Sequence, residues 1–91
     1  MLELTQSAID ALNELSKGTD NGGLRIFRHR SVDELKLSAV VVDRPADGDE
    51  VVEQGGARVF LDDAVIGVLA GKRLDARVSD GRLRLSVLEQ T

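Results

Sequence analysis

The stretch Val51-Val52-Glu53-Gln54-Gly55-Gly56-Ala57-Arg58-Val59-Phe60-Leu61, running on into Asp62-Asp63-Ala64-Val65-Ile66-Gly67-Val68-Leu69-Ala70-Gly71, decides the fold class. Two short β-prone runs meet at a Gly-Gly pair, which reads as a hairpin. Asp62 then caps a short helix carrying Ala64, Val65, Ile66 and Leu69, and Gly71 closes it. A hairpin feeding a helix points to an α+β chain.

Upstream, the period is two. Leu24 and Ile26 share one face of a strand and Arg25, Phe27 and His29 the other. A second run sets Leu35, Leu37, Ala39 and Val41 against Lys36, Ser38, Val40 and Val42, so valine on both sides predicts cover on both faces for part of its length. Asp43 to Asp49, holding the only proline, Pro45, is a loop. Further back, Ala8, Leu12 and Leu15 with Ile9 form a helical stripe, capped by Thr5 or Ser7 and ended by Gly18, and residues 19–23 are turn formers. Downstream, Leu74, Ala76 and Val78 alternate inward, as do Leu83, Leu85 and Val87, about the tight turn Ser79-Asp80-Gly81. The expected architecture is a small, mostly antiparallel β-sandwich-like domain with an N-terminal helix and a short second helix, its two sheets packed face to face.

One domain spanning residues 1–91 is the natural reading of this length, with roughly 60–65% of the unfolded surface buried. Apolar residues are 42% of the chain, enough for a core, although only Phe27 and Phe60 are aromatic. Sixteen acids against twelve bases leave a net charge of −4, which disfavours nucleic acid and membrane surfaces as partners. There is no cysteine, so disulfides, thiolate metal sites and cysteine nucleophiles are excluded. The first sixteen residues carry Glu3, Asp10 and Glu14 and no long apolar run, so the expectation is a soluble cytoplasmic domain without a membrane span.

The order of these blocks resembles the A-type iron–sulfur carrier family (HesB/IscA-like). Leu4-Thr5 with Ala8, then Gly23-Leu24-Arg25-Ile26, then Pro45 with Asp49 carry the likeness at the front. Gly56, Val59, Leu61-Asp62, Leu69, Gly71, Leu74-Asp75 and Gly81 carry it behind. The resemblance implies three cluster-ligating cysteines. The first falls at about Ser31 or Val32, in His29-Arg30-Ser31-Val32-Asp33-Glu34, and the Cys-x-Cys pair falls past Val87, where the sequence reads Leu88-Glu89-Gln90-Thr91. The chain is thus read as a divergent member lacking all three. Clusters need soft donors, mostly thiolates and about four of them, so no cofactor is expected.

Three groups of side chains remain as candidates. His29 with Asp33 and Glu34 would supply one imidazole and two carboxylates to a divalent ion. The competing reading, an exposed basic loop Arg28-His29-Arg30 that repels cations, is the one expected. Asp47-x-Asp49 beside Gly48 superficially suggests calcium, but the further oxygen ligands of an EF-hand loop are absent, which leaves a solvated turn. Arg73, Arg77, Arg82 and Arg84 face outward together on the terminal hairpin, with Asp75 among them, as protein-contact candidates for an acidic partner or the acidic loop of a second copy. No aromatic platform accompanies them, which argues against nucleic acid.

No phosphate-binding glycine loop and no nucleophile constellation is present, so an enzyme is not expected. The expected function is a non-enzymatic domain acting through protein contacts, with partners among iron–sulfur assembly components and a homodimer as one form. The alternatives are an iron binder built on His29 and carboxylates, or a purely structural interaction module.

Overall fold

The computed structural model describes residues 2–15, 22–30 and 35–89. The elements run β1 (Glu3–Leu4), α1 (Gln6–Leu15), β2 (Gly23–Arg30), β3 (Leu35–Val42), β4 (Glu50–Gln54), β5 (Ala57–Leu61), α2 (Asp63–Leu69), β6 (Lys72–Ser79) and β7 (Arg82–Glu89). They form a four-stranded sheet of order β3-β2-β5-β4 and a three-stranded sheet of order β1-β6-β7. Leu24, Ile26, Val59 and Leu61 of the larger sheet meet Leu74 and Ala76 of the smaller one in a single buried cluster. Ala8, Ala11 and Leu12 of α1 and Val65 and Leu69 of α2 complete that cluster. The α+β, sheet-on-sheet reading of the sequence is the architecture observed.

Local chemistry explains most boundaries. Thr5 caps α1, its Oγ1 accepting from the Ala8 N–H at 3.1 Å while its hydroxyl donates to Asp75 Oδ1 at 2.7 Å. Asp62 caps α2, with Oδ2 accepting from the Ala64 N–H at 3.3 Å. Asp80 and Gly81 both sit at positive φ, 53° and 74°, as a two-residue hairpin turn between twisted strands demands. Gly23 is required for a different reason. A Cβ there would lie 2.6 Å from the Arg58 carbonyl oxygen, where β2 runs beside β5.

Two features depart from the sequence reading. The first is parallel pairing: β2 lies parallel to β5, and β1 parallel to β6. These partners are far apart in the chain, so neither turn chemistry nor alternation announces them. Strand β1 has only two residues and is held on its other side by a side chain. Gln54 accepts from the Leu4 N–H at 2.8 Å and donates to the Leu2 carbonyl at 3.1 Å, as a neighbouring strand would.

The second departure concerns β3. It is an edge strand, and Val40 and Val41, on opposite faces, are 46% and 43% exposed, so the predicted cover on both faces is not found. Arg28, His29 and Arg30 lie at the end of β2, as the strand alternation through Arg25, Phe27 and His29 expects and unlike the basic-loop reading of the same residues. The ladder with β3 continues there through His29↔Lys36 and Arg30↔Leu35.

Candidate protein-contact site

The register of the terminal hairpin builds the site. With Ser79 opposite Arg82, the turn sets Arg77 opposite Arg84, Asp75 opposite Ser86 and Arg73 opposite Leu88. Leu74 and Ala76 go into the core on one face, so the alternate positions carry Arg73, Arg77, Arg82 and Arg84 outward together, and all four are exposed. Arg77 and Arg84 are directly opposed like charges, an arrangement that costs stability in a sheet. Asp75 relieves little of it. One of its oxygens takes the Thr5 hydroxyl, and the other stands 3.7 Å from Arg77 Nε. Arg73, Arg82 and Arg84 have no carboxylate partner among the described residues.

Asp75, Arg77, Ser79, Arg84 and Ser86 line a shallow hollow of about 340 Å³ on this face. The sequence reading gives Ser79 a place in the turn only and assigns neither serine to this face, although counting outward from Asp80-Gly81 brings both beside the arginines. With two guanidinium groups and two hydroxyls, the hollow offers an anionic group several donors and has only Asp75 to repel it.

The remaining charged residues are accounted for differently from the sequence reading. The Asp47-x-Asp49 turn, expected to be solvated, is so only in part. The Asp49 side chain is 1% exposed and accepts from Arg25 Nε at 2.9 Å, Arg25 Nη2 at 3.2 Å and the Ala46 N–H at 2.9 Å. The same guanidinium reaches Asp62 Oδ1 at 3.2 Å and lies over the Phe27 ring at 5.5 Å from its centroid. Burial pushes the Asp49 carboxyl up, but the hydrogen bond from Arg25, the Ala46 N–H and the arginine charge outweigh it and hold the carboxyl below its ordinary value. Arg25 therefore stands where a calcium ion bound by the Asp47-x-Asp49 turn would have to draw on Asp49. Glu53 is engaged as well, by Arg58 at 2.6 Å across the β4–β5 ladder.

Asp33 and Glu34, the carboxylates proposed with His29 for a metal, and Ser31 and Val32, at the expected place of the first cysteine, lie outside the described residues. So do Gln90 and Thr91, and Gly18 with residues 19–21 of the first loop. Among the described residues no three His, Cys, Asp or Glu side chains group closely enough to hold a metal ion. An iron–sulfur cluster is a poor match for this donor set on chemical grounds, because the 91 residues include no thiolate. No helix among the described residues is long and apolar enough to cross a membrane.

No protein-family model matches the chain, and no curated protein matches its sequence. Solved structures do match its fold. IscA, in a crystal structure with its [2Fe-2S] cluster, aligns over 98% of this chain and 82% of its own, at 22% identity and a TM-score of 0.71. Escherichia coli SufA, involved in biosynthesis of iron–sulfur clusters, aligns over 97% of this chain and 84% of its own, at 19% identity and a TM-score of 0.77. A protein from Aquifex aeolicus aligns over 98% and 91%, at 20% identity and a TM-score of 0.78. The chain has the A-type iron–sulfur carrier fold, and it has it without a single cysteine.

Proposed function

We propose that this is a non-enzymatic domain that works by protein contact, using the arginine face of the β6–β7 hairpin to engage an acidic surface on a component of iron–sulfur cluster biogenesis. The observation that carries the reading is the array of four exposed arginines, three of them without a carboxylate partner among the described residues, on a chain whose net charge is −4. Exposed positive charge concentrated on one face of an acidic protein steers an acidic partner to that face and fixes its register. The link to cluster biogenesis is supported by the likeness to SufA, a protein involved in that process. Cluster carriage forms no part of the proposal, since the donor set lacks the thiolates it requires.

The test is affinity capture with the tagged chain against cysteine desulfurase and scaffold proteins, beside the Arg77→Glu/Arg84→Glu variant. Retention of one of these components by the parent chain and its loss with the variant is the expected result. Capture of none of them overturns the biogenesis link. Capture that is indifferent to the charge reversal overturns the arginine face.

A further inference from the structure

The inner side of the same hairpin borders an apolar cleft of about 130 Å³, lined by Ile26, Leu37, Ala39, Leu74, Leu85 and Val87 among others. Leu37 of β3 and Val87 of β7 stand at its mouth, 40% and 44% exposed. Small-molecule pockets run to about 300 Å³ or more, so this volume suits a single apolar side chain better than a free ligand. Strand β7 is an edge of its sheet, eight residues long, free of proline and unpaired on one side among the described residues. An edge of that length presents a row of main-chain donors and acceptors ready for another strand.

We infer that the free edge of β7 is a strand-docking site for an extended segment of a partner protein in which acidic and apolar residues alternate. The inference rests on the protein-contact reading above and specifies its partner. A strand laid along β7 sends successive side chains to opposite faces. One set continues the inner face of Leu83, Leu85 and Val87, where the cleft receives an apolar side chain. The other set continues the outer face of Arg82, Arg84 and Ser86, where carboxylates meet the guanidinium groups and answer the Arg77–Arg84 opposition. Main-chain hydrogen bonds supply sequence-independent affinity, and the two faces supply the reading of alternate residues. A second copy of this chain fits less well. Its acidic edge strand β4 carries Glu50 and Glu53 an odd number of positions apart, so they project from opposite faces and cannot both lie over the arginines.

The test uses a labelled, end-blocked peptide of alternating glutamate and valine, titrated with the full chain and followed by fluorescence anisotropy. Two control peptides accompany it, one with lysine for glutamate and one with the same composition but the glutamates and valines in separate blocks. The alternating peptide is expected to bind, and the lysine peptide not to bind. The block peptide, Arg84→Glu and Val87→Lys should each weaken binding by about tenfold or more. Both substituted positions are exposed, and Arg84→Glu removes a like-charge opposition, so circular dichroism should remain that of the parent chain. If the block peptide binds as tightly as the alternating one and Arg84→Glu weakens both, strand docking is overturned while the arginine face stands. Binding of neither acidic peptide overturns both readings. Self-association of the chain that Arg84→Glu dissolves, seen by sedimentation, overturns the foreign partner in favour of a second copy.

Discussion

Replacing Arg25 with alanine tests the clasp that joins β2, the loop of residues 43–49 and the start of α2. The Arg25 side chain is 22% exposed, but the Asp49 side chain beneath it is 1% exposed and takes two of its three hydrogen bonds from that arginine. Arg25→Ala leaves a buried carboxylate with the Ala46 N–H alone. Orphaning one member of a buried ion pair costs about 3–5 kcal/mol, and partial access of water to the vacated space favours the low end, about 3 kcal/mol. The lost contact with Phe27 adds up to about 1 kcal/mol. At about 1.5 kcal/mol per molar urea, the unfolding midpoint should fall by about 2 M, with the slope unchanged.

The pH dependence has a definite sign. Because the folded Asp49 carboxyl is held below its ordinary value, its stabilisation is complete above the unfolded value of about 3.9 and is lost as pH falls through the lower folded value. The stability gap between the parent chain and Asp49→Asn should therefore close as pH is lowered below about 4. A double-mutant cycle of Arg25→Ala and Asp49→Asn in urea isolates the pair from the Phe27 contact. A coupling under about 0.5 kcal/mol at neutral pH would refute the reasoning, since the clasp would then be a solvent-screened pair of the ordinary surface kind.

Three further outcomes are expected. Gly23→Ala forces a methyl into the Arg58 carbonyl at 2.6 Å, and as neither backbone can yield it should cost about 2–3 kcal/mol by thermal unfolding; a neutral result would mean the β2–β5 spacing is looser than described. Thr5→Val removes both the α1 cap and the bond to Asp75, for about 1–2 kcal/mol, whereas Thr5→Ser should recover most of it in the same urea assay. Anaerobic reconstitution with iron and sulfide should leave no stoichiometric visible absorption after desalting, because the chain offers no thiolate; a retained stoichiometric colour would contradict the donor argument.

Local chemistry was legible and long-range pairing was not. The Gly55-Gly56 and Asp80-Gly81 turns, the Asp62 cap and the inward alternation of Leu74 and Ala76 each state their structure within a few residues and are found there, whereas Val78 and Val87, expected inward from the same pattern, are 50% and 44% exposed. The arginine face followed from the same alternation, and its serines were one register count away. By contrast, Asp49 reads as one more acid in an acidic loop, since its partner Arg25 lies 24 residues back and no local pattern links the two. Strand β1 fell below any periodicity, as two residues define none. Valine on both faces of β3 signalled burial that a single copy does not provide. Its position at the sheet edge, which leaves Val40 and Val41 exposed, is set by topology rather than by its own residues.

The parallel pairing of Glu3 and Leu4 with Arg73 and Leu74 also governs how the chain can fold. The four-stranded sheet is drawn from the contiguous interior of the sequence, Gly23 to Leu61, and can assemble from neighbouring segments. The three-stranded sheet joins the front of the chain to its last hairpin, and α1 packs chiefly on β6. During synthesis α1 emerges well before β6, so the apolar stripe of Ala8, Ala11 and Leu12 meets β5 first and its main partner, β6, only later. Closing so long a loop is an entropic cost met before its contacts form, so the docking of β1 and α1 on β6 is the pairing that this topology is expected to slow most.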